Sequence, residues 1–531
     1  MGAVKAVVSP PGPPGTLLRR DGTIAGLVSL AAGLGVAHVI SGLWRDGKSP
    51  VVAMGDWTID HVPRGVKDWA IRTFATNDKL VLIIGTLAVL VLLSMWLGRL
   101  AQRRLGAALV GVGLIGVVGA LASLDHVNAS AASALPSLIG AAVAGCSLAW
   151  LTGWRPGWAG GAPGPSGASG PTARTPVGPD RRSFLLTATA IGAGAVIAGG
   201  VGQALRRRFA VSGARSELVL PPATDTQVMP PGTDLGIPGA APFVTPSSDF
   251  YRIDTALLVP QVSPDHWRLK VHGMVDRELE LTFADLLARP MIERDVTLSC
   301  VSNEVGGSLV GNAIWRGARL ADLLDEAGVQ PGATQLFSTS ADGWTCGSPV
   351  SAIMDGRDAL LAVAMNDEPL PIAHGFPVRL VVPGLYGYVS ATKWVVDLKL
   401  TTFDDLAYWV PRGWAQQAAV KTMSRIDVPR TEQVPAGTVA VAGVAWAVHR
   451  GISAVEVQVD DGPWQAARLG AVPSVDSWVQ WVLDWDAQPG DHVLTVRATD
   501  GAGKLQPEEP ADPAPDGAQG WHARRFRVTT G

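Results

Sequence analysis

Five long apolar stretches in the first 205 residues constrain this chain more than any other feature. They cover residues 22–44, 80–98, 105–123, 132–153 and 183–205. Each is long enough to cross a ~30 Å hydrocarbon core as a helix. The last three are rich in Gly, Ala and Ser, residues that let helices approach closely in lipid. Only 17% of the 531 residues are charged, where a soluble chain carries about a quarter. Residues 1–205 are therefore expected to form a bundle of about five transmembrane helices.

The basic residues orient that bundle. Arg19 and Arg20 precede the first stretch, and Arg99, Arg103 and Arg104 follow the second. Arg155, Arg174, Arg181 and Arg182 lie between the fourth and fifth, while residues 125–131 carry no Lys or Arg. The positive-inside rule places the N-terminus in the cytoplasm and everything after the fifth helix on the outer side of the cytoplasmic membrane. In the outer loop, residues 45–79, Val66, Trp69, Ala70 and Phe74 share one helical face, a pattern that suits a short interfacial helix. Arg181-Arg182-Ser183-Phe184-Leu185-Leu186 before an apolar run resembles a twin-arginine export signal. Two ordinary cytoplasmic arginines are the alternative. Residues 157–179, dense in Gly, Pro, Ser and Thr, read as a flexible linker presenting that segment. Arg206-Arg207-Arg208 falls on the outer side against the charge rule, which export of an already folded domain would tolerate.

Beyond the bundle the composition changes. Residues 206–425 read as a mixed α+β domain: strands near 267–272, 296–298, 335–338 and 378–382, a capped helix start at Leu281–Leu287, and a helix from Leu320 ending at Gly328. Residues 426–531 alternate at period two over 439–447, 454–459, 478–483 and 492–498, with a hairpin signal at Asp460-Asp461-Gly462. After the Pro-rich stretch 507–520 comes a final strand, 522–529. The whole reads as an immunoglobulin-like sandwich. The formal charge of −3 gives no polyelectrolyte signal, so nucleic acid is excluded as a partner. The three cysteines, Cys146, Cys300 and Cys346, form neither a disulfide framework nor a zinc motif. Cys146, in an apolar run, is expected to be a small buried hydrophobe.

Cys300 ends an apolar strand and opens the polar loop Val301-Ser302-Asn303-Glu304-Val305-Gly306-Gly307. A thiolate at a strand end is held rigidly, as a soft metal ligand needs, although a lone cysteine there is more often core. The stretch from His374 through Phe376, Pro377, Arg379 and Pro383 to Tyr388, with Lys393-Trp394 beyond, settles the choice. Together with the Cys300 loop, Trp315–Leu324, residues 366–371 and Thr245-Pro246 with Asp249–Arg252, it resembles the sulfite-oxidase-type molybdopterin-dependent oxidoreductases. The likeness is to the subgroup with membrane helices ahead of the catalytic domain, and it covers about residues 240–400.

The resemblance implies a molybdenum–molybdopterin cofactor with Cys300 as the one protein sulfur on the metal. It implies cofactor contacts from Phe250, Tyr251, Arg252, His374 and Arg379, a phosphate held by Ser390 and Lys393, and a further contact from Ser340. Asn303 beside the ligand and Tyr388 are the remaining catalytic candidates. It also implies an isologous homodimer through the C-terminal domain, where Trp446, Trp464, Trp478, Trp481 and Trp485 are expected in the core or at an interface. Because a bridged sulfur cannot ligate, a Cys300–Cys346 disulfide is not expected. The family's sulfite oxidases carry arginines soon after the ligand cysteine; here that loop holds Glu304 instead, which puts sulfite in doubt. Three histidines lie near the bundle, His38, His61 and His126. Only His38 falls inside a stretch, so haem b is not expected. The resulting expectation is two-electron oxygen-atom transfer on a small sulfur-containing or oxyanion substrate, with an electron partner the sequence does not name. The alternative from another class is a non-catalytic membrane receptor for a ligand or partner.

Overall fold

The computed structural model describes residues 19–45, 47–63, 65–66, 69, 73–74, 78–125, 129–153 and 181–530. It divides into two compact units, residues 1–210 with 255–258, and residues 211–254 with 259–531.

The first unit is helical: α1 (Arg19–Ser41), α2 (Pro50–His61), α3 (Asp78–Ala101), α4 (Leu105–Leu124), α5 (Leu135–Leu151) and α6 (Arg181–Arg207). Five segments, overlapping α1, α3, α4, α5 and α6, are long and apolar enough to cross a membrane. Helix α2 was not anticipated, because its stretch mixes charge with apolar residues; Ser49 caps it and Pro50 opens it. Helix α1 packs against α3, α5 and α6, and glycines permit the approach. A methyl group on Gly33 would sit 2.6 Å from the Gly140 carbonyl oxygen, and one on Gly140 would sit 2.8 Å from that of Gly33. Outward faces stay apolar, with Leu92, Val196 and Ile197 each about two-thirds exposed or more. Cys146 corrects the expectation that it is buried: it lies exposed on α5, whose small residues turn inward instead. His38 packs against Gly202 of α6, and His61 stacks on Trp57 at 4.5 Å. His126 and the linker 157–179 lie outside the described residues, as does most of the expected interfacial helix, of which Trp69 and Phe74 meet edge to face at 5.6 Å.

In the second unit the α+β region carries β1 (Asp225–Thr226), β2 (Arg268–Gly273), β3 (Leu279–Thr282), β4 (Met291–Ser299), β5 (Val310–Arg319), β6 (Gln335–Ser340), β7 (Thr345–Pro349), β8 (Leu360–Met365), β9 (Glu368–Pro369), β10 (Arg379–Val381) and β11 (Val395–Thr401). They form two sheets, ordered β1-β4-β5-β8-β10, with β9 paired to β8, and β3-β2-β11-β6-β7. Thr282 caps the helix Phe283–Leu287 through a reciprocal box with Asp285. The helix Leu320–Ala327 stops at Gly328, whose φ of 71° only glycine adopts cheaply. β4 is buried over nearly its whole length although it carries Glu293, Arg294 and Asp295, which is why only its end, Val296–Leu298, reads as a buried strand in the sequence.

The C-terminal strands form two further sheets. One contains Met423–Val428, Gly437–Trp446 and Val479–Ala487, the other Ile452–Val459, Gly490–Asp500 and His522–Thr529. Val441 and Trp481 from the first share a core with Val457, Leu494 and Phe526 from the second, which makes a β-sandwich. Of the five tryptophans, Trp446, Trp478, Trp481 and Trp485 are buried, and Trp464 is half-buried beneath Arg497. Sandwich and α+β region are welded together. Trp478 donates its indole N–H to the Phe243 carbonyl at 2.8 Å and its backbone N–H to Thr297 Oγ1 at 2.8 Å.

Candidate active site

Cys300 follows the last residue of β4, and its N–H donates to the Leu309 carbonyl at 2.9 Å. The loop then turns back: the Asn303 N–H donates to the Cys300 carbonyl, and Asn303 Oδ1 accepts the Leu309 N–H at 2.8 Å. Asn303 thus spends its carbonyl oxygen bracing the loop. The Cys300 thiol is free and buried; burial pushes it up, and the Ser302 N–H, 3.4 Å from Sγ, pulls it back. Cys346 is also free, wholly enclosed among Ser338, Ser348 and Thr392, its thiol pushed up to about 11 by burial. Tyr251 and Tyr386 both feel Cys300 electrostatically. Burial raises both hydroxyls, that of Tyr386 up to about 12.

A cationic group lies within reach of the same residues. Arg379, on β10, is enclosed; Tyr251 feels its charge, and its guanidinium lies 4.8 Å above the Trp315 ring. Its hydrogen bonds go only to backbone carbonyls, of His374 at 3.1 Å, Leu380 at 3.4 Å and Ala391 at 3.5 Å. His374 is depressed to about 4, first by burial and then by Arg379 and Lys393. Phe250 supports it, with ring centroids 5.7 Å from His374, 5.8 Å from Trp315 and 5.2 Å from Tyr251. Lys393 donates to Asp254 at 2.7 Å, and Arg252 donates to the same carboxylate at 2.8 Å. Burial brings Lys393 down to about 8, with Asp254 opposing.

Arg252, Arg379 and Lys393 therefore surround His374 with one buried carboxylate, Asp254, among them. Among the described residues no carboxylate pairs with Arg379. An unpaired buried charge costs several kcal/mol, and a desolvated cation–π contact returns only about 2. The long carbonyl contacts do not close that gap. An anionic group seated here would, and a phosphate-bearing organic cofactor fits the donor set. The single thiol beside it fits a metal whose other ligands the cofactor brings.

The remaining candidates sit less directly. The Ser390 hydroxyl donates to backbone, 3.1 Å from the Leu385 carbonyl and 3.0 Å from that of Tyr386, leaving only its lone pairs for a ligand. Ser340 ends β6 and braces the β6–β7 hairpin, accepting the Asp342 N–H at 3.5 Å. Tyr388 donates to the Ala415 carbonyl at 2.6 Å and leans on Trp414; its neighbours are Asp516 and Cys346 rather than Cys300. Two participants were not among the sequence candidates: Trp315 beneath Arg379 and Asp254 between two cations. Trp315 stands inside one of the recognised motifs. Asp254 carried no signal.

Comparison with known proteins identifies the family of this region. Residues 256–409 match the family described as oxidoreductase molybdopterin binding domain. An uncharacterized oxidoreductase, YuiH of Bacillus subtilis, is 36% identical over 148 residues, covering 28% of this chain and 72% of that protein. Human mitochondrial sulfite oxidase is 30% identical over 316 residues, 50% of this chain and 58% of its own. The Drosophila melanogaster enzyme is 27% identical over 325 residues, 51% and 56% respectively. The chain thus spans a little over half the length of the sulfite oxidases it matches. A crystal structure of the sulfane dehydrogenase SoxCD from Paracoccus pantotrophus aligns over 59% of this chain and 91% of that one, with 24% identity and a TM-score of 0.47. What the match over residues 256–409 defines is an oxidoreductase domain that binds the molybdenum cofactor. The chain belongs to the sulfite-oxidase-type molybdopterin-dependent oxidoreductases, and the receptor alternative loses its support.

Proposed function

We propose that this protein is a membrane-anchored oxidoreductase that moves one oxygen atom and two electrons on a small sulfur-containing or oxyanion substrate. The observation that carries the reading is the free Cys300 thiol at the end of β4 with Arg379 enclosed and unpaired beside the same tyrosine. Bound molybdenum supplies the two-electron change. Cys300 would be its protein sulfur, Arg379 and Lys393 would hold the cofactor's anionic end, and His374, kept neutral, would face the pterin with Tyr251 and Phe250. Glu304, exposed in the loop after Cys300, adds negative charge where an anion would approach. A neutral sulfur compound is therefore preferred over sulfite, because a like charge repels the dianion.

The five apolar helices support membrane anchoring, and the Arg distribution supports a catalytic domain on the outer side with Arg181-Arg182 as an export signal. The β-sandwich, read as immunoglobulin-like, is assigned an isologous dimer contact. Metal and pterin analysis of the purified chain tests the cofactor; stoichiometric molybdenum supports the reading and its absence refutes it. A dye-linked screen over sulfite, sulfoxides and oxyanions then separates the substrates. A reporter after Gly531 that works only in the cytoplasm would contradict the sidedness. Light scattering that finds monomers at high concentration would contradict the dimer.

A further inference from the structure

The Cys300 loop is held from outside the α+β region, by the β-sandwich. Two sandwich residues reach it. Arg425 donates through Nη1 to the Gly307 carbonyl at 2.8 Å, while its Nε is fixed by Asp427 at 2.6 Å. His522, on the last strand, accepts the Ile426 N–H at Nδ1 over 3.0 Å, which leaves the proton on Nε2 in the neutral ring. The Nε2 edge lies against Gly306: a methyl group there would fall 2.4 Å from Nε2. Gly306 has φ of 75°, so the position demands glycine for its backbone and again for the imidazole pressed on it. Burial keeps that imidazole neutral, down at about 4.

We infer that Arg425 and His522 are positioning residues that clamp Gly306-Gly307 and thereby set the place of the Cys300 sulfur, which makes the sandwich a working part of the active site. This rests on the reading of Cys300 as the metal ligand. The loop has few ties of its own: the Cys300–Leu309 and Asn303–Leu309 bonds close its neck, and the Glu304–Gly307 bond closes its tip. Without the clamp, the tip carrying residues 302–307 keeps only its neck bonds and the packing of Val305 against the core. A metal ligand's geometry depends on such outer support, whose loss typically costs ten- to a hundredfold.

The test uses the full-length holoprotein with His522→Ala, His522→Asn and Gly306→Ala, and Arg425→Gln as an independent lever. Three quantities are read for each: molybdenum and pterin content, the thiolate-to-metal absorption band, and amide exchange across residues 301–309. His522→Ala, Gly306→Ala and Arg425→Gln should keep their cofactor, shift the band, quicken exchange in the loop and lower kcat about tenfold with KM little changed. His522→Asn, whose side-chain oxygen can still accept the Ile426 N–H, should restore most of the band and the rate. If the three variants lose only thermal stability while band, loop exchange and kcat per cofactor stay put, the clamp has no positioning role. Cys300→Ser separates the two ideas. Should the thiolate band survive that change, the ligand assignment fails. Should the band vanish there yet ignore the clamp variants, the clamp alone fails.

Discussion

The Arg379 guanidinium lies 4.8 Å above the indole ring of Trp315, enclosed by protein and bonded only to backbone carbonyls. A lone buried cation is a cost to folding unless something anionic arrives to neutralise it. Arg379→Ala should therefore lower molybdopterin occupancy at least tenfold while leaving the empty protein no less stable than before. Arg379→Lys should recover part of the occupancy, since it keeps the charge but not the fork. Pterin fluorescence after oxidative release measures both. Full occupancy in the alanine variant would remove Arg379 from the cofactor's hold.

A second expectation concerns pH. Asp295, on β4, is raised to about 7, first by burial, with Asn312 opposing through its bond at 3.1 Å; the other carboxylate oxygen has no partner. Folding thus keeps a proton on Asp295 that the unfolded chain releases near its ordinary value of 3.8. The stability from this group is complete below about pH 4 and is lost as pH rises through about 7. Asp295→Asn, neutral throughout, should raise the unfolding midpoint at pH 8 relative to wild type, and the advantage should shrink toward pH 4. Thermal scans of both proteins across that range check it. A difference independent of pH would contradict it.

The bundle yields a third. Gly33 and Gly140 face each other so closely that neither has room for a side chain. Gly33→Val should destabilise the helical unit by about 1–3 kcal/mol, read as faster proteolysis between α1 and α3. Gly113 on α4, where an added methyl meets nothing within 4 Å, should tolerate alanine and serves as the comparison.

How much of this was legible beforehand depended on distance along the chain. The Cys300 strand, the stop at Gly328 and the helix cap at Thr282 each follow from a few consecutive residues, and the structure has all three. The Cys300 loop and the His374–Lys393 stretch showed as motifs because their residues are contiguous. Asp254 could not be read as the partner of Lys393, 139 residues away. Nor could His522 be read as a neighbour of Gly306, since only the packing of the sandwich unites them. Helix α2 was missed because Asp56 and Asp60 interrupt its apolar pattern. Ser390 and Tyr388 were chosen by motif position, while their hydroxyls donate to nearby backbone carbonyls. Side-chain direction of that kind is decided by local geometry that residue type alone does not specify.

Cys346 provides the control for the site. It is enclosed among the hydroxyls of Ser338, Ser348 and Thr392, where serine can join the same hydrogen-bond network. Cys346→Ser should keep both cofactor content and turnover within about twofold of wild type, because the change is nearly isosteric and leaves no polar group unpaired. Loss of turnover with retained fold would move the chemistry to the wrong cysteine.

The most direct measurement is on Cys300→Ser in the full-length protein: cofactor content, the thiolate-to-metal band and turnover, measured on one preparation. Arg379 and Lys393 remain in place to hold the cofactor's anionic end, so molybdenum and pterin should stay near wild-type amounts. A hard alkoxide in place of a soft sulfur should remove the band and reduce turnover to background. A variant that keeps both the band and the turnover would show that Cys300 is not the metal's ligand.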